Sequence, residues 1–130
     1  MNILRLSKKV AAGADFIQTQ AVFDVDQFKV WLEALRDAGL ADKTAILAGV
    51  MPLKSAAHAQ ELTTTHTDFV ISETIIKRLT SASDAEAQRK EGVKIAAEII
   101  NELKGLAGLK GVHILSGGNE SSIRELLAVV

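Results

Sequence analysis

Cysteine is absent from the 130 residues, which excludes disulfides, thiolate nucleophiles and cysteine metal sites. Proline occurs once, at Pro52, and the aromatic residues are four phenylalanines and one tryptophan. Neither charge sign dominates: 15 Lys plus Arg against 16 Asp plus Glu give a net charge of −1 and a sequence pI near 6.3. Without a basic surplus to neutralise phosphates, binding to nucleic acid through bulk charge is excluded. No apolar run approaches the roughly 18 residues of a membrane span. The first nine residues lack the order of a secretory signal, so a cytoplasmic location is the expectation. What is present is a 48% hydrophobic, 24% charged composition, that of a folded chain rather than a disordered one. Its length suits one domain, 1–130, with a sizeable core.

The hydrophobic pattern switches between two periods. Residues 2–12 read as a helix with Ile3, Leu6 and Val10 on one face, stopped by Gly13. Residues 15–20 read as a strand. Asp24 caps a helix over 25–38, whose stripe of Phe28, Trp31, Leu32 and Leu35 has i, i+3, i+4, i+7 spacing. The continuous apolar run 44–50 predicts a strand buried on both faces, closed by Pro52. Ser55 caps a helix over 55–65, and Asp68 to Ser72 forms a further strand candidate. A short helix over 73–80 and a long one over 84–104 follow. Ser83 and Glu86 have the spacing of a capping box for the long helix, and Val93, Ala96, Ala97, Ile100 and Leu103 form its buried stripe. Residues 111–115 read as the last strand. Ser122 and Glu125 fit a capping box for the final helix, with Ile123, Leu126 and Leu127 facing the core.

Apolar strands alternating with helices predict a parallel sheet with helical cover. An open doubly wound sheet and a piece of a (β/α)₈ barrel both satisfy the pattern. A full barrel needs about 250 residues, so this chain is about half of one. Gly117, Gly118 and Asn119 link a strand to a helix N-terminus, where backbone N–H groups can hold an anion. On these residues alone, a phosphate-binding α/β enzyme is one reading. Asp24, Asp26 and Glu73 are acid–base types, but Asp24 serves more economically as a cap and Glu73 as a first-turn acid. His113 lies inside an apolar run and reads as a core histidine. His58 and His66 stand eight apart with no carboxylate at ligand spacing, so no metal site is expected.

Three blocks carry a resemblance. Residues 8–24, KKVAAGADFIQTQAVFD, contain a basic pair, Val-x-Ala-Gly-Ala-Asp, an apolar strand, Thr-Gln and Phe-Asp. Residues 47–53, LAGVMPL, and residues 111–114, GVHI, follow in order. Together they resemble the methylenetetrahydrofolate reductase family over essentially the whole chain. The resemblance implies the C-terminal half, strands 5–8 with their helices, of an FAD-bearing (β/α)₈ barrel. It implies hydride transfer from a reduced nicotinamide, or a protein electron donor, through the flavin to methylenetetrahydrofolate or a related one-carbon pterin.

Residue by residue, the resemblance places Gln20 on the pterin, where an amide offers both a donor and an acceptor. It places Lys8 and Lys9 at the flavin phosphates, and His58 at a second folate contact that is usually glutamine. Residues 116–121, SGGNES, stand where many bacterial members have Thr-Leu-Asn-Arg, and are similar to a shorter branch of some anaerobes and archaea. The family's general-acid glutamate, on its first strand, and its flavin-tuning aspartate, on its fourth, would precede Met1. The chain alone is therefore expected to be inactive. Half a barrel leaves strand edges and an inner face uncovered, so pairing with a second copy or with an N-terminal half is expected. A non-catalytic binding or assembly module derived from such a reductase is the alternative.

Overall fold

The computed structural model describes residues 3–65, 70–116 and 120–130. Helix α1 (Ile3–Ala11) turns its apolar stripe inward, leaving Leu4 exposed. Leu6 is fully buried, and Ile3 and Val10 pack against the core. Gly13, at φ 104°, then turns the chain into strand β1 (Phe16–Ala21). Helix α2 (Val25–Asp37) begins where the Asp24 carboxylate accepts a hydrogen bond from the Gln27 N–H at 3.1 Å. Such a cap satisfies one of the donors a helix start leaves unpaired. Gly39, at φ 74°, leads into α3 (Leu40–Lys43), a single turn that buries Leu40 and Ala41. This turn lies in a stretch where the pattern predicts no element, being too short to show a period.

Strand β2 (Ala45–Val50) follows, and then helix α4 (Ala56–Thr65), where the predicted cap Ser55 accepts from the His58 N–H at 3.0 Å. Helix α5 (Glu73–Thr80) is capped by Ser72. Helix α6 (Ala85–Leu103), strand β3 (Leu109–Ile114) and helix α7 (Glu120–Val129) complete the chain. One hydrophobic cluster runs from Leu6 to Leu126.

The three strands are parallel, in the order β1-β2-β3. Alternation along β1 and β2 turns Ile17, Ile46, Ala48 and Val50 to one buried face. Helix α6 packs on β2 and β3 and also meets α2. The opposite parity is far more open: Gln18 and Gln20 are exposed, and Phe16 is 56% exposed. The expectation that the run 44–50 is buried on both faces holds for the end of β2, Ala48 to Val50, whereas Ala45 and Leu47 are only partly buried.

Three further expectations are corrected. Val70 to Ser72 form no strand, and Asp68 and Phe69 lie outside the described residues. Val70 is exposed, and the segment instead delivers Ser72 as the cap of α5. β2 consequently pairs directly with β3, where four successive barrel strands would place one between them. The sheet of described residues has three parallel strands, an α/β arrangement consistent with a piece of a (β/α)₈ barrel.

The cap of α6 is Asp84, whose carboxylate accepts from the Ala87 N–H at 2.8 Å. A carboxylate also suits the positive end of the helix better than the Ser83 hydroxyl. Finally, Ser122 and Glu125 lie within α7, which starts at Glu120, and Leu127 is 59% exposed. Both polar residues hydrogen-bond Arg89 of α6.

Candidate functional site

An open cleft of about 620 Å³ lies at the carboxyl end of β1. Its wall includes Arg5 of α1, Thr19 and Gln20 of β1, Asp24, and Gln27 and Trp31 of α2. In parallel sheets this strand end gathers functional groups, because the crossover returns each chain to the same rim. The Trp31 ring stands against Phe28, with centroids 5.5 Å apart and planes tilted by 40°. Phe28 is buried, so it anchors the exposed edge of the aromatic pair.

The register of β1 on β2 is interrupted here. Gln18 pairs with Leu47 and Ala21 with Gly49, so two residues, Thr19 and Gln20, oppose the single Ala48. This is a β-bulge, a device that bends a strand and re-aims side chains. The Thr19 hydroxyl accepts from the Gly49 N–H at 3.0 Å and donates to the Gln20 carbonyl at 2.8 Å. The Gly49 carbonyl accepts from the Val22 N–H at 2.8 Å. A Cβ at residue 49 would lie 2.6 Å from the Thr19 carbonyl oxygen, so only glycine admits this approach.

The other sequence candidates are more dispersed. Lys8 and Lys9 are exposed in the last turn of α1 and do not line the cleft. Arg5, which does, stands three and four residues before them and so shares their helix face. Sequence reasoning passed over Arg5; the signal available was this i, i+3, i+4 spacing of three cations.

His58 is half-buried in the first turn of α4, again outside the cleft wall. Its Nδ1 accepts from the Lys54 N–H at 3.1 Å. Burial, and then the Lys54 charge, lower its pKa from 6.5, with Glu61 opposing. The ring is neutral near pH 7, and an accepting Nδ1 leaves its proton on Nε2. Asp24 acts as the helix cap. His113 is partly buried in β3, with its backbone registered on Gly49. The Gly117–Asn119 anion loop and His66 lie outside the described residues.

The most connected charged group is Arg89, unmarked by any sequence motif. Its guanidinium bonds Glu125 at 2.8 Å and 3.1 Å and the buried Ser122 hydroxyl at 3.2 Å, and it also pairs with Glu86. Hydrogen bonding to Arg89 holds both carboxyls below the ordinary range. Arg78 likewise ties α5 to Glu91 and Glu98 of α6. These clusters join helices and stand apart from the cleft. Among the described residues no group of three His, Asp or Glu side chains is placed to hold a metal ion. No described helix is long and apolar enough to cross a membrane.

Comparison with known proteins agrees with the motifs. The methylenetetrahydrofolate reductase family model matches residues 1–130. Methylenetetrahydrofolate reductase 1 of Schizosaccharomyces pombe is 28% identical over 129 residues, covering 97% of this chain and 20% of that protein. A probable methylenetetrahydrofolate reductase (NADPH) of Caenorhabditis elegans is 25% identical over 127 residues, 97% of this chain and 19% of its own length. Methylenetetrahydrofolate reductase 2 of Saccharomyces cerevisiae is 42% identical over 52 residues, 40% of this chain and 8% of that protein. The chain thus spans about a fifth of the length of the first of these relatives. With the Thr-Gln bulge, the Gly49 contact beneath it and a family match along all 130 residues, this chain belongs to the methylenetetrahydrofolate reductase family.

Proposed function

We propose that this chain forms the pterin-contacting part of a flavin-dependent reductase. The reaction would convert methylenetetrahydrofolate, or a related one-carbon pterin, to its methyl form. The observation that carries this reading is the position of Gln20, exposed at the carboxyl end of a parallel strand and lining the cleft. Its amide pairs with the amide edge of a pterin, donating to the ring carbonyl and accepting from the ring N–H. Trp31 adds an aromatic edge to the same wall. His58, neutral and held by Lys54, is the second contact, brought in from the rim beyond β2.

The residues present suit FAD by charge. Arg5, Lys8 and Lys9 make a basic row on one face of α1, with Arg5 on the cleft and both lysines in solvent. Cations of this kind hold a diphosphate, the lysines as point charges and the guanidinium as a planar fork. When bound, FAD supplies the hydride; this chain's residues orient the pterin and anchor the phosphates. A reduced nicotinamide or a protein donor would recharge the flavin. Residues 1–130 act as one unit of a (β/α)₈ barrel, and the sheet face bearing Phe16 and Gln18 is the barrel interior. A second copy or an N-terminal half would cover that face.

The test is calorimetric titration of the chain with 5-methyltetrahydrofolate. Saturable binding that Gln20→Ala weakens by about 1–3 kcal/mol, the scale of a lost polar partner, supports the reading. Affinity unchanged by Gln20→Ala overturns it. Native mass spectrometry with added FAD reads the flavin assignment separately.

A further inference from the structure

We propose that Thr19 is a positioning residue for Gln20: its hydroxyl substitutes for a rung of the β1–β2 ladder and holds the bulge that directs Gln20 to the cleft. The proposal rests on the reading of Gln20 as a ligand contact. In an unbroken parallel ladder the Gly49 N–H would meet a carbonyl of β1. The extra residue in β1 shifts those carbonyls out of register, and a buried N–H without an acceptor is costly. The Thr19 hydroxyl fills the gap in both senses, accepting from Gly49 at 3.0 Å and donating to the Gln20 carbonyl at 2.8 Å.

Residue 49 completes the device by having no side chain. A Cβ there would crowd both the Thr19 and Gln20 carbonyls, at 2.6 Å and 2.9 Å. The backbone of Gln20 is thereby fixed by its neighbour's side chain and by a glycine thirty residues away. Only serine and threonine supply a short hydroxyl at position 19. Threonine's branched Cβ further restricts the χ1 rotamer that both bonds require.

The experiment compares Thr19→Val and Thr19→Ser with Gln20→Ala and the double variant Thr19→Val/Gln20→Ala, all in the full chain. Amide hydrogen exchange at Gly49 is read alongside titration with 5-methyltetrahydrofolate. Thr19→Val should speed Gly49 exchange and weaken folate binding, each by about ten-fold, the scale of one lost hydrogen bond. Thr19→Ser should restore both. Because Thr19 acts through Gln20, the double variant should bind no more weakly than Gln20→Ala alone. Unchanged Gly49 exchange in Thr19→Val, or additive losses in the double variant, would overturn the proposal.

If the unaltered chain binds no folate, the proposed function fails, while Gly49 exchange and the Gln20 side-chain amide resonances still decide whether Thr19 holds the bulge. If Thr19→Val does not fold, Thr19→Ser decides. It must keep the Gly49 amide protected and folate affinity within about two-fold, and an unprotected Gly49 overturns the proposal.

Discussion

Gly92 sits inside a helix, where glycine is intrinsically worse than alanine by about 1 kcal/mol. Its surroundings reverse that order. A Cβ at this position would lie 1.8 Å from the Leu53 carbonyl oxygen, so α6 lies directly against the backbone that follows β2. Gly92→Ala is expected to destabilise the protein by about 3 kcal/mol through overpacking, measured by urea unfolding. Alanine at the exposed Lys94 of the same helix should change little. Residues whose role is local were legible in sequence: Asp24 and Ser55 lie where caps belong, and each accepts the expected N–H. Gly92, Gly49 and Arg89 were not legible. Each answers to a group thirty or more residues away, and no periodicity encodes such a contact.

At the scale of elements, α7 is held to α6 by Leu126 and by the Arg89 cluster. Glu86 and Glu125 titrate below their ordinary value of 4.5, chiefly through hydrogen bonds to Arg89. A depressed carboxyl pKa contributes stability that is present above the unfolded value and lost as pH falls through the folded one. Acidification below about pH 4.5 should therefore release α7 before the sheet. Hydrogen exchange should show its amides losing protection first, and Arg89→Ala should produce the same loss at neutral pH. Helix stripes were read well, since burial at Phe28, Leu32 and Leu35 repeats along one element. The capping boxes at Ser83 and Ser122 were misread. The Ser-x-x-Glu spacing also places two residues on one face inside a helix, which is how Ser122 and Glu125 both reach Arg89.

The molecule as a whole has a covered sheet face and an open one. Phe16, 56% exposed, stands on the open side of edge strand β1, where unpaired backbone invites another strand. The chain is expected to self-associate with rising concentration, and Phe16→Lys to lower its mean mass in sedimentation. Equal masses for both would remove this face as the contact. The parallel α/β class followed from the alternation of periods. The number of strands did not, because the apolar run ending at Ser72 reads the same whether it pairs in the sheet or leads into a helix.

Among the described residues the glycines at positive φ are Gly13, Gly39, Gly105 and Gly108; Gly39 joins α2 to the single turn α3, and the other three lie in turns that return from a helix to a strand. Among the described residues, no turn leaving a strand for a helix needs that conformation. The two rims of the sheet therefore differ in mutability. The returning turns are bound to glycine by backbone geometry, whereas the described turns beside Gln20 and His58 require no left-handed backbone. Substitutions in the described turns beside Gln20 and His58 are therefore free of the glycine requirement that the returning turns carry.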